Sequence, residues 1–156
     1  MKTLESVRDL FSIFHDGTIT RLKIENGICD LEVDIKYLAS RMDPSFSAFR
    51  VRLFSVEDFY FTPWNGSEES PSSAIYDIGE IWAAELGILS AEIDGSKIKV
   101  ACTQDLHPAL DHSGGFLTFE CSHGELFDEA GRLVGMAALR QMSASYWEDF
   151  SAERNA

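Results

Sequence analysis

The chain has 156 residues, of which 45% are hydrophobic and 12% aromatic, and 13 Lys and Arg against 26 Asp and Glu give a formal net charge of −13. This length favours one domain, and the apolar content suffices for a core without disulfides or metals, which excludes wholesale disorder. Nucleic acids and anionic membranes bind chiefly through Lys and Arg, so neither is expected as a partner of so acidic a chain.

The first part of the chain predicts one helix followed by strands. Apolar residues at helical spacing predict a helix from Thr3 to Phe14, after which Gly17 is expected to take positive φ. Alternating residues on both sides of Asn26-Gly27 predict a β-hairpin, because both central residues of a type I′ turn need positive φ. Two further strands are expected around residues 49–53 and 59–61.

Phe59, Tyr60, Phe61, Trp64 and Trp82 could line a ligand pocket, but we interpret them as core, because aromatic residues on strands are usually buried. Residues 65–74 are rich in turn-forming residues. We interpret them as an internal loop within a single domain of residues 1–156, since an N-terminal unit of about 65 residues would have only a small core.

The second part predicts a short helix, two hairpins and a final helix. Helical spacing recurs from Ile78, and Asp94-Gly95 separates two alternating segments in a second hairpin. A third hairpin is expected between residues 117–121 and 125–127, which would place Glu120 and Glu125 on facing strands. The spacing from Leu133 to Phe150 predicts a C-terminal helix.

Hairpins bracketed by helices, without regular alternation of strand and helix, predict an α+β fold. We expect an antiparallel β-sheet built from hairpins, with an N-terminal and a C-terminal helix packed against it.

The acidic residues are concentrated late in the chain. Residues 1–65 contain eight Lys and Arg against ten Asp and Glu, whereas residues 66–156 contain five against sixteen, so the net charges are −2 and −11. These charges can simply keep the protein soluble, or they can attract a basic protein partner. The candidate partner-binding residues are Glu68, Glu69, Asp128, Glu129, Glu148 and Asp149.

Histidines and carboxylates between residues 105 and 123 provide an alternative. His107, Asp111, His112 and His123 are competent ligands for zinc or another divalent ion, although their spacing matches no standard signature. A small enzyme or ligand-binding domain could use the same cluster. The chain has no nucleophile elbow, dinucleotide-binding motif or phosphate-binding loop, so we expect no catalytic residues and no cofactor.

Targeting and cysteine patterns indicate the compartment. Charged residues interrupt the first eleven positions, MKTLESVRDLF, where a signal peptide has an apolar core, so a cytoplasmic protein is expected. Cys29, Cys102 and Cys121 form no CxxC pair and lie in alternating apolar segments, which predicts buried thiols.

The segment Phe14-His15-Asp16-Gly17-Thr18-Ile19, followed by a Phe-rich strand ending at Trp64, resembles small uncharacterised bacterial domains with a Phe-His-Asp-Gly or Phe-His-Asp-Ser motif. Some of those domains are similar to immunity proteins of polymorphic toxin systems. The resemblance covers the first 65 residues and implies a toxin-neutralising binding protein, with His15 and Asp16 as a motif of functional interest. We therefore expect a non-enzymatic, acidic, cytoplasmic binding protein.

Overall fold

The computed structural model describes residues 1–64, 74–104 and 114–156. Helices and strands follow one another as α1 (Leu4–Ile13), β1 (Thr18–Glu25), β2 (Ile28–Asp34), α2 (Lys36–Ala39), β3 (Ala48–Phe54), β4 (Glu57–Pro63), α3 (Ile78–Ala83), β5 (Gly87–Asp94), β6 (Lys97–Thr103), β7 (Gly114–Glu120), β8 (His123–Phe127) and α4 (Met136–Arg154). The predicted α+β class is confirmed: one antiparallel sheet of eight strands carries an N-terminal and a C-terminal helix.

The strand order in the sheet is β4-β7-β6-β5-β1-β2-β3-β8. Its two edge strands are both partly covered, which limits pairing with other chains. Phe61 of β4 exchanges backbone hydrogen bonds with Ile75, and Gly124 of β8 does so with Met1.

The predicted third hairpin is wrong. β8 pairs with β3 instead of β7, so Arg52 lies opposite Glu125, and Glu57 of β4 lies opposite Glu120 of β7. β3 continues into β4, and β7 continues into β8. β3 pairs with β8 and β4 pairs with β7, so the two continuous segments lie side by side before and after a common bend. Glu120 and Glu125 therefore do not face each other.

The first hairpin is confirmed, and the turn of the second is displaced by one residue. Asn26 and Gly27 have φ of 52° and 72°, as a type I′ turn requires. In the second hairpin Asp94 still pairs with Lys97, so the two central residues are Gly95 and Ser96, with Gly95 at φ 64°.

The core lies between α1 and the inner face of the sheet. Val7, Leu10, Phe11 and Phe14 of the α1 segment are completely buried, and Phe11 packs edge-on against Phe119 at 5.7 Å between ring centroids. Thr3 begins the helix, because its side chain accepts a hydrogen bond from the Ser6 N–H. The same core contains buried residues from both sides of each undescribed segment.

The end of α1 differs from the expectation for Gly17. Asp16, not Gly17, takes the positive φ of 68°. A Cβ on Gly17 would lie 2.7 Å from Val33 Cγ1 and 2.9 Å from the Phe14 carbonyl oxygen, so this position requires glycine because the chains approach closely.

α4 lies over α1 and α2 on the outside of the fold. Among its nineteen residues only Leu139 is buried. Its second half is attached through Tyr146, whose ring lies 4.4 Å from that of Tyr37. No helix within the described ranges is long and apolar enough to cross a bilayer.

The buried-thiol prediction holds for two cysteines. Cys29 and Cys102 are completely buried, and Cys121 is half-buried against the core. Burial raises the pKa of the Cys102 thiol to about 12 and that of Cys121 to about 11, so neither is a reactive thiolate near neutral pH.

Candidate functional site

Several of the candidate partner-binding carboxylates that the structure describes are bound within the protein. Glu68 and Glu69 lie outside the described residues. Asp128 is 1% exposed, and its carboxylate accepts hydrogen bonds from the backbone N–H and the Nε of Arg132 at 3.0 and 2.8 Å. This carboxylate closes the turn between β8 and α4, so it is not available to a partner.

Two of the remaining candidates are also engaged within the protein. Glu129 accepts hydrogen bonds from the backbone N–H groups of Ser47 and Ala48 at the start of β3. Asp149 forms an ion pair with Arg41 at 2.7 Å. Glu148, beside it on α4, is exposed and has no ion pair within the described ranges.

The histidine cluster falls mostly outside the described residues, where His107, Asp111 and His112 all lie. His123 lies on the outer surface of β8, stacked on Phe54 with ring centroids 4.5 Å apart, and its Nδ1 is 2.8 Å from the Ser122 hydroxyl. Across residues 1–64, 74–104 and 114–156 no group of three or more His, Cys, Asp or Glu could hold a metal ion. The metal alternative therefore stays a prediction.

The motif residues His15 and Asp16 lie at the end of α1, next to β5. His15 Nδ1 donates to the Leu89 carbonyl at 2.7 Å, which directs Nε2 outward, 3.4 Å from an Asp16 carboxylate oxygen. His15 lines one depression with Arg140, Ser143 and Trp147 of α4.

A different surface combines aromatic rings and charges, on the outer side of β4, β7 and β6. In β4 the predicted core residues Phe59 and Phe61 are buried, but Tyr60 between them points to the outside. The expectation that Tyr60 is core is wrong, because alternate residues of a strand face opposite sides. Trp82 is likewise 42% exposed on α3.

Four rings lie along this outer surface in two pairs. Tyr60 and Tyr76 have centroids 5.4 Å apart, and Tyr76 is 64% exposed. Phe116 of β7 and Trp64 form an edge-to-face contact at 5.8 Å. A depression of about 210 Å³ is lined by the rings of Tyr60 and Phe116 and by the neighbouring Lys97 and Lys99 of β6.

Two lysines of β6 lie over these rings. The Lys97 ammonium is 5.4 Å from the Tyr60 centroid, and the Lys99 ammonium is 4.2 Å from the Phe116 centroid. Both are cation–π contacts, so these rings already accept cations in the folded protein.

Carboxylates outnumber the ammonium groups here. The Asp58 carboxylate lies 3.5 Å from the Lys97 ammonium, and Asp94 borders the same depression. The negative charge of Glu120 favours the charged form of Lys97. Burial of the ammonium works against its charge, but Tyr60 and Asp58 outweigh that effect and raise the pKa of Lys97.

Two glutamates also occupy opposite positions on this surface. Glu57 and Glu120 are opposite each other on paired strands, an arrangement that destabilises a sheet. We call this surface the acidic aromatic face and define it by Glu57, Asp58, Tyr60, Tyr76, Asp94, Lys97, Lys99, Phe116 and Glu120.

The acidic aromatic face is suited to bind a cationic group, because its rings and its carboxylates both attract positive charge. Sequence reasoning missed it since its members come from strands that are neighbours only in the folded sheet. The outward position of Tyr60 in an alternating strand was the one available signal.

No family model, curated protein or solved structure matches this chain.

Proposed function

We propose that this protein is a non-catalytic binding domain for a basic protein, and that the acidic aromatic face receives Lys or Arg side chains of that partner. The observation that carries the proposal is the surplus of carboxylates beside the rings: Glu57, Asp58, Asp94 and Glu120 share this face with two ammonium groups, those of Lys97 and Lys99.

Rings and carboxylates together favour a cationic side chain. A cation over an exposed aromatic face gains about 0.5 to 1 kcal/mol, and Arg can stack on the ring while it donates to a carboxylate. Tyr76 is suited to this role because most of its side chain is exposed next to Tyr60.

Aromatic rings beside lysines are also typical of surfaces that bind single-stranded nucleic acid. The carboxylates favour a protein partner instead. Glu57 and Glu120 would repel a phosphate backbone, and Lys97 and Lys99 are already paired with Asp58 and Glu92.

The net charge of −13 supports the same proposal at long range. Complementary charge raises the association rate of two proteins and makes it depend on salt. The resemblance of the Phe14 to Ile19 segment implies one form of this function, in which the domain neutralises a basic toxin.

The test is capture of partners from the cytosol of the native cell on the immobilised protein at low and high salt. We expect a basic protein that is released by salt. Its capture should fall strongly with the variant Asp58→Asn, Asp94→Asn, Glu120→Gln.

The matched control is Asp34→Asn, Glu148→Gln, Glu153→Gln, which changes the net charge equally at exposed positions elsewhere. It includes Glu148, a candidate from the sequence. Equal loss in both variants, or a captured protein that is insensitive to salt, would contradict the proposal.

A further inference from the structure

A groove about 340 Å³ in volume lies between α1 and α4, on a part of the molecule separate from the acidic aromatic face. The ion pair of Asp9 with Arg140 joins the helices at 3.0 Å, and the ring contact of Tyr37 with Tyr146 attaches α4 further along. We call it the α1–α4 groove. It is shallow and mostly open to solvent.

The groove is lined by polar and apolar residues of both helices. α4 contributes Arg140, Ser143 and Trp147, at the three- and four-residue spacing of one helix face. α1 contributes Ser12 and Ile13 opposite them. Met136, Leu139 and Met142 make the apolar contacts of α4 with the core, so Arg140, Ser143 and Trp147 lie on the neighbouring face and can meet a ligand.

The polar groups favour an anion. Asp9 accepts hydrogen bonds from both Arg8 and Arg140, so its charge is more than balanced. Arg140 uses one nitrogen for Asp9 and keeps its other N–H groups for a ligand. His15 lines the same groove, with its ring fixed by Leu89.

The apolar groups define the rest of the ligand. Ile13 and the ring of Trp147, which is 40% exposed, form an apolar wall beside Arg140. The carboxylate of Asp16, 3.4 Å from His15 Nε2, would oppose a ligand with two negative charges more strongly than one with a single charge.

We propose that the α1–α4 groove binds a small organic monoanion, with its carboxylate on Arg140 and its apolar body against Ile13 and Trp147. Binding there would link α4 to α1 where few other contacts hold the two helices. The inference does not depend on the proposed partner of the acidic aromatic face.

The experiment is a titration of the full chain with benzoate, observed through the indole N–H signals of its three tryptophans. We expect the Trp147 signal to move and saturate. The signals of Trp64 and Trp82 should stay in place, the second because its N–H donates to the Thr20 carbonyl.

Benzyl alcohol and inorganic phosphate test the apolar part and the charged part of the ligand separately. Both should bind at least about tenfold more weakly than benzoate, since one lacks the charge and the other the apolar body. Equal binding of benzyl alcohol would reduce the groove to an apolar patch and overturn the proposal.

Arg140→Gln should weaken benzoate binding at least about fivefold, a loss typical of one ionic contact. Arg154→Gln, with the same charge change on the same helix, should leave it unchanged. Trp147→Leu is a second variant, which removes the indole ring and keeps the ion pair between Asp9 and Arg140. An immobile Trp147 signal in the unmodified protein, or equal losses in the two arginine variants, would contradict the inference.

Discussion

Asp16 and Gly17 divide between them two tasks that are often combined in one glycine. Asp16 takes the positive φ that ends α1, which aspartate tolerates better than most residues. Gly17 has an ordinary φ but no room for a side chain, since Val33 and the Phe14 carbonyl would lie under 3 Å from its Cβ. The conformation of each residue therefore could not be assigned from the sequence alone.

The substitution Gly17→Ala should lower the free energy of unfolding by about 1 to 3 kcal/mol, because the new methyl group overlaps Val33 and backbone. Denaturant unfolding measures the change. Gly135→Ala is the control, since it has an ordinary φ of −76° and no atom within 4 Å of its Cβ. A change under about 0.5 kcal/mol at Gly17 would rule out the close approach as the reason for glycine.

Carboxylates that are buried or hydrogen-bonded within the protein also contribute to its stability. Desolvation opposes the charge of Asp128, but hydrogen bonds from Arg132 outweigh it and hold the pKa of that carboxyl below its ordinary value. Backbone N–H groups of Ser47 and Ala48 lower the pKa of Glu129 in the same way. Both residues stabilise the folded protein in their charged forms.

Because the folded pKa of Asp128 is the lower one, its contribution to stability is complete above the unfolded value of about 3.9 and is lost as the pH falls through the folded value. Asp128→Asn should therefore destabilise the protein by about 1 to 3 kcal/mol at pH 7 and reduce the loss of stability on acidification. Unfolding curves at neutral and acidic pH measure both effects. Glu148→Gln should change neither, and an unchanged Asp128→Asn protein would contradict a structural role.

At the scale of helices and strands, the sequence predicted correctly a feature that depends on a few neighbouring residues. Asn26-Gly27 identified the first hairpin because the turn type depends on those two residues. The pairing of β8 with β3 was not predicted, since it brings Arg52 next to Glu125 across a long separation in the chain. Adjacent strands in the sequence formed a bent continuation instead of a hairpin, and only the folded sheet determines that choice.

α4 was predicted from its helical spacing, but among its nineteen residues only Leu139 is buried. A helix with little buried surface opens more readily than one in the core. Amides of residues 147–154 should therefore exchange with solvent at least about tenfold faster than those of Val7 to Ile13 in α1. Tyr146→Ala should accelerate exchange there further, because it removes the contact with Tyr37, whereas Glu148→Ala should not. Equal protection of both helices in hydrogen exchange would contradict this account of α4.

At the scale of the whole molecule, charge in the sequence and charge on the surface differ. The later part of the chain has a net charge of −11, but Asp128, Glu129 and Asp149 are engaged by Arg132, backbone N–H groups and Arg41. The acidic aromatic face takes Glu57 and Asp58 from the earlier part and Asp94 and Glu120 from the later part. The sequence shows an excess of acidic residues, but it does not show which carboxylates lie on one surface.

The most direct measurement is an amide NMR titration of the protein with an oligo-arginine peptide at low and high salt. We expect saturable, salt-sensitive shifts centred on Tyr60, Lys97 and Phe116, and their loss in the variant Asp58→Asn, Asp94→Asn, Glu120→Gln. Shifts centred on α4 around Glu148, or equal shifts in that variant, would contradict the proposed function.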